Sequence, residues 1–320
     1  MTQRVIAVGA TGHIGRPLCD TLIEAGHEVV VFSRDPDRAR DVVPGAAGYV
    51  AWQPDVLPEP CVRELASADA VVYLAGGTLF DGKPHSQADV EAETNARAFA
   101  MGRIVAAIGR LEHRPSVFVA ASSVGYYGYA VPDDTRIDED HPVGADWWGR
   151  GSAVIEDAAT AVRAHGVRAV LLRTGYAITR DTLAGQLAPF QRHLGGWIGN
   201  GRGWTPWIHM ADEVGIIRHL LEDPSADGAY NLTAPEPLRA KDFARVLGRV
   251  VGRRAWLPTP TPLVRMGMGV VTDILVRGQR VVPARVSASG YSFLFAEAES
   301  ALRDMVGAQG RTSPKRISSP

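Results

Sequence analysis

Gly9-Ala10-Thr11-Gly12-His13-Ile14-Gly15 is the stretch that decides the fold. The apolar run Val5–Val8 precedes it. Behind it Ile14, Leu18, Leu22 and Ala25 recur at steps of four and three, until Gly26 ends the pattern. The seven residues therefore join a strand to a helix. Gly9 permits the tight turn, Gly12 lets the backbone approach a pyrophosphate, and Gly15 lets the helix pack closely on the strand. The N–H groups that open the helix then face the phosphates. A second run, Val29–Phe32, completes the strand–turn–helix–strand context that a glycine triplet needs before it counts as a dinucleotide site. The alternative is a glycine-rich turn that holds no ligand.

The second strand ends Ser33-Arg34-Asp35. An acidic residue at this tip accepts from a ribose 2′-hydroxyl, whereas an arginine suits a 2′-phosphate. With Ser33 and Arg34 first, NADP(H) is preferred over NAD(H). The competing reading leaves Arg34 in water and gives the ribose to Asp35.

Further short apolar runs at Tyr49–Trp52, Ala70–Ala75, Val117–Ala120 and Ala169–Arg173 alternate with helical periodicity. Such alternation predicts an α/β fold with a doubly wound parallel sheet of the Rossmann type. After Gly175 the regularity fades. Gly195, Gly196, Gly199, Gly201 and Gly203 crowd one stretch, which suggests a loop shaped around a ligand or a close backbone contact. Ala229–Leu232 returns to the sheet, and helices follow from Ala240, with Pro258, Pro260 and Pro262 as a link. The division expected is a Rossmann lobe of residues 1–178 and 206–235, a smaller C-terminal substrate lobe of residues 179–205 and 236–306, and a disordered tail, residues 307–320.

Bulk composition narrows the partners. The 320 residues carry 34 Lys plus Arg against 35 Asp plus Glu, a net charge of -1, so nothing draws the chain toward nucleic acid or anionic lipid. Cys19 and Cys61 are too few for a disulfide framework or a four-ligand zinc site, and no metal is expected. The start Met1-Thr2-Gln3-Arg4 lacks a secretory pattern, and Leu263–Val276 is broken by Arg265 and Asp273. A cytoplasmic protein acting on a small molecule, away from membranes, is the expectation.

Several segments together resemble the extended short-chain dehydrogenase/reductase superfamily, and within it the atypical epimerase-family or cell-division-inhibitor-like proteins. They are GATGHIG (9–15), VVYLAGG (71–77), ASSVGYYG (121–128), LLRTGYAIT (171–179), GNGRGWTPWIHMAD (199–212), YNLTAPEP (230–237) and GQRVVPAR (278–285). The resemblance implies that Leu74, Ala75, Gly76 and Gly77 join Thr11, His13 and Ile14 around the cofactor. It implies that Ser123 stands at the catalytic serine position. Extended members pair through the two helices beside the central strand, here about Asp89–Gly109 and Gly149–His165, which implies a homodimer.

The chain departs from the superfamily where proton transfer is done. Typical members place Tyr-x-x-x-Lys at the start of the next long helix, with a Glu four residues after the Lys. Glu156 supplies that anchor, which puts Ser152 at the Lys position and Trp148 at the Tyr position. Counting forward from Ser123 also reaches Trp148. An indole N–H donates a hydrogen bond but does not titrate, so the usual relay is lost. Tyr127, and beside it Tyr126, are the candidates to replace the lost phenol, against aromatic packing as the alternative. Trp148, Trp204, Gly201 and Arg202 are expected to line the substrate pocket, with Trp197 and Trp207 hinting at an apolar or cyclic compound. Gly149 and Gly151 either leave room for a ligand or fray the first turn. His209 reads as structural, Asp212 as a helix cap, and Asp138, Glu139 and Asp140 as a solvated loop. An NADP(H)-dependent oxidoreductase is the first reading. A non-redox epimerase, dehydratase or cyclase, and a silent NADP(H)-sensing protein, are the alternatives.

Overall fold

A computed structural model describes residues 2–77, 79, 81–129 and 134–310. Its strands are β1 (Arg4–Val8), β2 (Glu28–Ser33), β3 (Gly48–Ala51), β4 (Ala70–Tyr73), β5 (Val117–Ser123), β6 (Arg136–Ile137), β7 (Arg168–Thr174), β8 (Tyr176–Ile178), β9 (Trp204–Thr205), β10 (Trp207–His209), β11 (Gly228–Leu232), β12 (Leu238–Arg239) and β13 (Arg280–Val281). The helices are α1 (Gly15–Glu24), α2 (Pro36–Val42), α3 (Glu59–Ala66), α4 (Gln87–Gly109), α5 (Trp147–Thr160), α6 (Arg180–Gln191), α7 (Met210–Glu222), α8 (Ala240–Val250), α9 (Thr261–Met268), α10 (Thr272–Arg277), α11 (Ala284–Ala288) and α12 (Ala298–Gly310).

Seven strands form one sheet in the order β11-β7-β5-β4-β1-β2-β3, and every pairing is parallel. The order reverses beside β1, so the switch point lies between β1 and β4, where doubly wound sheets bind ligands. A parallel sheet must be covered on both faces. Leu18 and Leu22 of α1 and Ile217 and Leu221 of α7 cover one face. Met101 and Ile104 of α4 and Ile155 of α5 cover the other. Cys19 is part of the first layer, and burial pushes its thiol up to about 12. A further core unites Leu183 and Phe190 of α6, Phe243 and Leu247 of α8, and Ala301 and Leu302 of α12. Helix α12 runs to Gly310, so residues 307–310 of the expected tail are helical, and 311–320 lie outside the described residues. Among the described residues no helix is long and apolar enough to cross a membrane.

A buried polar network ties the C-terminal ends of β5, β7 and β11 together. Arg173 donates from Nε and Nη2 to the two carboxylate oxygens of Glu156, at 2.9 and 2.8 Å, with both side chains nearly out of solvent. Ser122 donates to Glu156 at 2.7 Å. A buried pair of this kind is strongly bound once made and costly to halve. Arg173→Met is therefore expected to lower unfolding free energy by about 3–5 kcal/mol in urea. The double variant Glu156→Leu/Arg173→Met should recover most of that loss.

Candidate functional site at the sheet switch point

The turn after β1 is shaped by two close approaches. Gly9 sits at φ +90°, and a Cβ there would lie 2.6 Å from the backbone N of Ala75. A Cβ on Gly15 would lie 2.1 Å from the carbonyl oxygen of Gly9. The turn is thus pressed between the end of β4 and the start of α1, and only glycine fits either place. Helix α1 opens at Ile14 with no side-chain cap and no acidic residue in its first turn, and Thr11, Gly12 and His13 are exposed. Its positive end is open to an anion.

At the tip of β2 the polar groups divide their tasks. The Asp35 carboxylate accepts from the N–H of Arg38 at 3.0 Å and caps α2. The Ser33 hydroxyl is bound to the backbone of Asp35, accepting its N–H at 3.1 Å. Arg34 is exposed and pairs with no described residue.

Beyond β4, α4 supports the loop. Glu93 accepts the N–H of Gly77 at 2.6 Å, and Arg97 lies against Gly76 and donates to the carbonyl of Ala121. Sequence reasoning missed both residues, because only the packing of α4 brings them to the sheet edge.

Ser123 ends β5 with its side chain exposed, and its hydroxyl accepts the N–H of Gly125 at 3.0 Å. A Cβ on Gly125 would meet the Oγ of Ser123 at 3.3 Å and the Oγ of Ser152 at 3.4 Å. Ser152 of α5 is thus brought to Ser123 on β5. Trp148 is 8% exposed, and its buried Nε1 has no hydrogen-bond partner. It stacks on Trp147 at 4.0 Å and meets Tyr129 edge-on, in a cluster against which Val270 and Ile274 of α10 and its approach pack. Gly149 leaves no room for a ligand, since a Cβ there would lie 2.2 Å from the carbonyl of Gly144.

Several expectations are corrected. Tyr127 is fully buried, donates to Asn231 Oδ1 at 2.6 Å and accepts from Arg173 at 3.0 Å. Its hydroxyl is out of solvent with its proton committed to Asn231, and burial raises the phenol's pKa, so Tyr127 serves the frame. Tyr126 is half-buried, with the Arg173 guanidinium 3.5 Å above its ring. Glu139 is not solvated: it is buried and accepts the N–H groups of Asn231 and Arg285 at 2.9 and 3.1 Å. His209, not Asp212, caps α7, accepting the N–H of Ala211. Asp212 accepts instead from the backbone of Leu294 and Phe295. Trp207 is core, Gly201 is buried against Trp197, and the exposed Arg202 has its N–H bound to Asn200. Trp204 lines a pocket that shares no residue with the turn, Ser123 or Trp148. Gly203 fits the loop-glycine reading of a close contact, since a Cβ on it would lie 2.3 Å from the carbonyl of Val276.

One buried acid was not foreseen. Thr174, the register partner of Ser123, donates to Glu213 Oε1 at 3.0 Å, while Oε2 has no partner. Burial pushes this carboxyl up to about 7. The folded protein holds that proton more tightly than the unfolded chain does. The stabilising contribution is full below 4.5, the group's ordinary value, and is lost as pH rises toward about 7. Glu213→Gln should therefore gain thermal stability over the parent at pH 8 and show little difference at pH 4, measured by scanning calorimetry. Tyr127→Phe should cost about 1–3 kcal/mol of stability, because it strands Asn231 and Arg173, and leave dinucleotide affinity unchanged.

Comparison with known proteins gives concordant matches. Residues 5–233 match the NAD dependent epimerase/dehydratase family, and residues 259–305 match a domain of unknown function, DUF1731. The human epimerase family protein SDR39U1 is 32% identical over 309 residues, covering 95% of this chain and 100% of its own. The Bacillus subtilis epimerase family protein YfhF is 29% identical, covering 95% and 98%. The crystal structure of human SDR39U1 (isoform2) with NADPH superposes with a TM-score of 0.80 at 31% identity, covering 95% of this chain and 99% of that one. These relatives carry the epimerase-family name and lend no support to the cell-division-inhibitor likeness. The chain belongs to the NAD dependent epimerase/dehydratase family.

Proposed function

We propose that the protein binds NADP(H) at the Gly9–Gly15 turn and is an oxidoreductase acting on a small apolar or cyclic carbonyl or hydroxy compound. The observation that carries the cofactor choice is the division of labour at the tip of β2. Asp35 is spent on capping α2, and the guanidinium of Arg34 is left without a partner. A 2′-phosphate fits that place better than a bare ribose. The uncapped start of α1 suits the diphosphate, and the human relative solved with NADPH supports the same reading.

When bound, the nicotinamide supplies or accepts a hydride. The chain's own contribution is a set of neutral donors. The hydroxyls of Ser123 and Ser152 converge at Gly125. These groups can hold and polarise a carbonyl oxygen, but none of them releases a proton near neutral pH. Water then delivers the proton. Carbonyls whose reduced oxygen is a weak base, such as conjugated ones, are the substrates this arrangement suits.

The same donor set favours a second reading, in which a substrate is rearranged without net redox. Absorbance at the NADPH band with a panel of conjugated and simple carbonyls separates the two. Net loss of NADPH supports the oxidoreductase. Product without net loss supports the epimerase or dehydratase reading, and tight NADPH binding with no turnover supports a sensing role. Arg34→Ala should weaken NADPH binding by roughly tenfold or more, the equivalent of one charge-assisted contact, and leave NADH binding unchanged. Equal affinity of the parent protein for both dinucleotides would remove the coenzyme preference.

A further inference from the structure

We propose that the chain carries a second small-molecule site, an oxyanion pocket built on Arg136 and Arg280 beside Trp204. A cavity of about 620 Å³ opens there, a size that holds a small ligand. It lies past β11 at the edge of the sheet, with three strands between β11 and the cofactor strand β1.

The charge arrangement is what calls for a ligand. Strands β6 and β13 pair in parallel with Arg280 directly opposite Arg136. Like charges opposite one another in a ladder destabilise it. Neither guanidinium makes an ion pair or a hydrogen bond with a described residue. The contrast is Arg239 on the same indole. Its guanidinium lies 4.1 Å from the Trp204 ring and is paired with Asp134. The guanidinium of Arg280 also lies over that ring, at 5.1 Å. Stacking on the indole orients the Arg280 fork and leaves its N–H edge for a carboxylate or phosphate.

The backbone that sets the two arginines opposite each other is held in place. Val281 and Ile137, the neighbours of the two arginines, are fully buried, and the N–H of Val282 donates to the carbonyl of Ile137 at 2.9 Å. Gln279 is buried and donates to the carbonyl of Gly128. The hydroxyl of Ser287 adds a third donor group to the lining. Pro235, Pro237 and Pro283 form an apolar wall, so the ligand combines an anionic head with an apolar body. Glu236 is the acidic residue of the lining, and it is exposed. Two arginines against one rim carboxylate leave the pocket net positive.

The test uses the full-length protein with benzoate, phenyl phosphate and benzyl alcohol as probes, read by tryptophan emission and by calorimetry. Saturable binding of benzoate, phenyl phosphate or both is expected, with no binding of benzyl alcohol. The emission change should disappear in Trp204→Phe. Affinity should fall roughly tenfold or more in Arg280→Met and in Arg136→Met. Arg136 is exposed and its replacement removes one of two opposed charges, so the melting temperature should hold or rise, and a loss of binding there reports the site and not the fold. Arg280→Lys keeps the charge without the planar fork and should bind more weakly than the parent but more tightly than Arg280→Met. Binding of only one anion identifies the head group as carboxylate or phosphate. Failure of both anions to bind saturably, or binding unaffected by both Met variants, would overturn the proposal. NADPH affinity in Arg280→Met should equal that of the parent, which separates this site from the cofactor site.

Discussion

The guanidinium of Arg173 is the constraint around which the C-terminal edge of the sheet is built. It is held by both oxygens of Glu156 on α5, it donates to the hydroxyl of Tyr127, and it lies over the ring of Tyr126. A charge this deep must be matched by partners in fixed geometry, since an unmatched one costs several kcal/mol. Meeting that demand brings β5, β7, α5 and the turn after β5 into one arrangement. Asn231 carries the network on to β11, and Glu139 ties β11 to the start of α11. Ser123 and Ser152 face each other across Gly125 because the elements that carry them are fastened by this network.

The start of α5 has taken on another task in the same frame. Trp148 and Ser152 both stand in its first two turns. Trp148 joins Trp147 and Tyr129 in an aromatic layer that extends to Val270 and Ile274. The layer joins the start of α5 to α10 and its approach, and the indole N–H of Trp148 is buried there without a partner. A hydrogen-bond donor in such surroundings is strong, because little water competes for its partner.

How much of this was legible from the residues alone depends on the distance between partners. The turn at Gly9–Gly15 and the seven sheet strands were readable, because each rests on neighbours within one strand–turn–helix unit. Asp35 as the cap of α2 also depends on residues three apart, yet its competition with Arg34 for one ribose could be judged only once the cap was seen. Tyr127 was misjudged because its partner Asn231 is 104 positions away, and Glu139 because the N–H it accepts is 92 positions away.

The sequence by itself determined the parallel sheet, the glycine turn and the residue types offered to a ligand, since periodicity and backbone sterics act over a few residues. Tertiary structure alone decided which polar side chains are consumed by the frame and which stay free. It also decided that Trp204 belongs to a pocket of its own. A side chain's hydrogen-bond partners, and the solvent it loses, come from elements far off in the chain, and only packing brings them together.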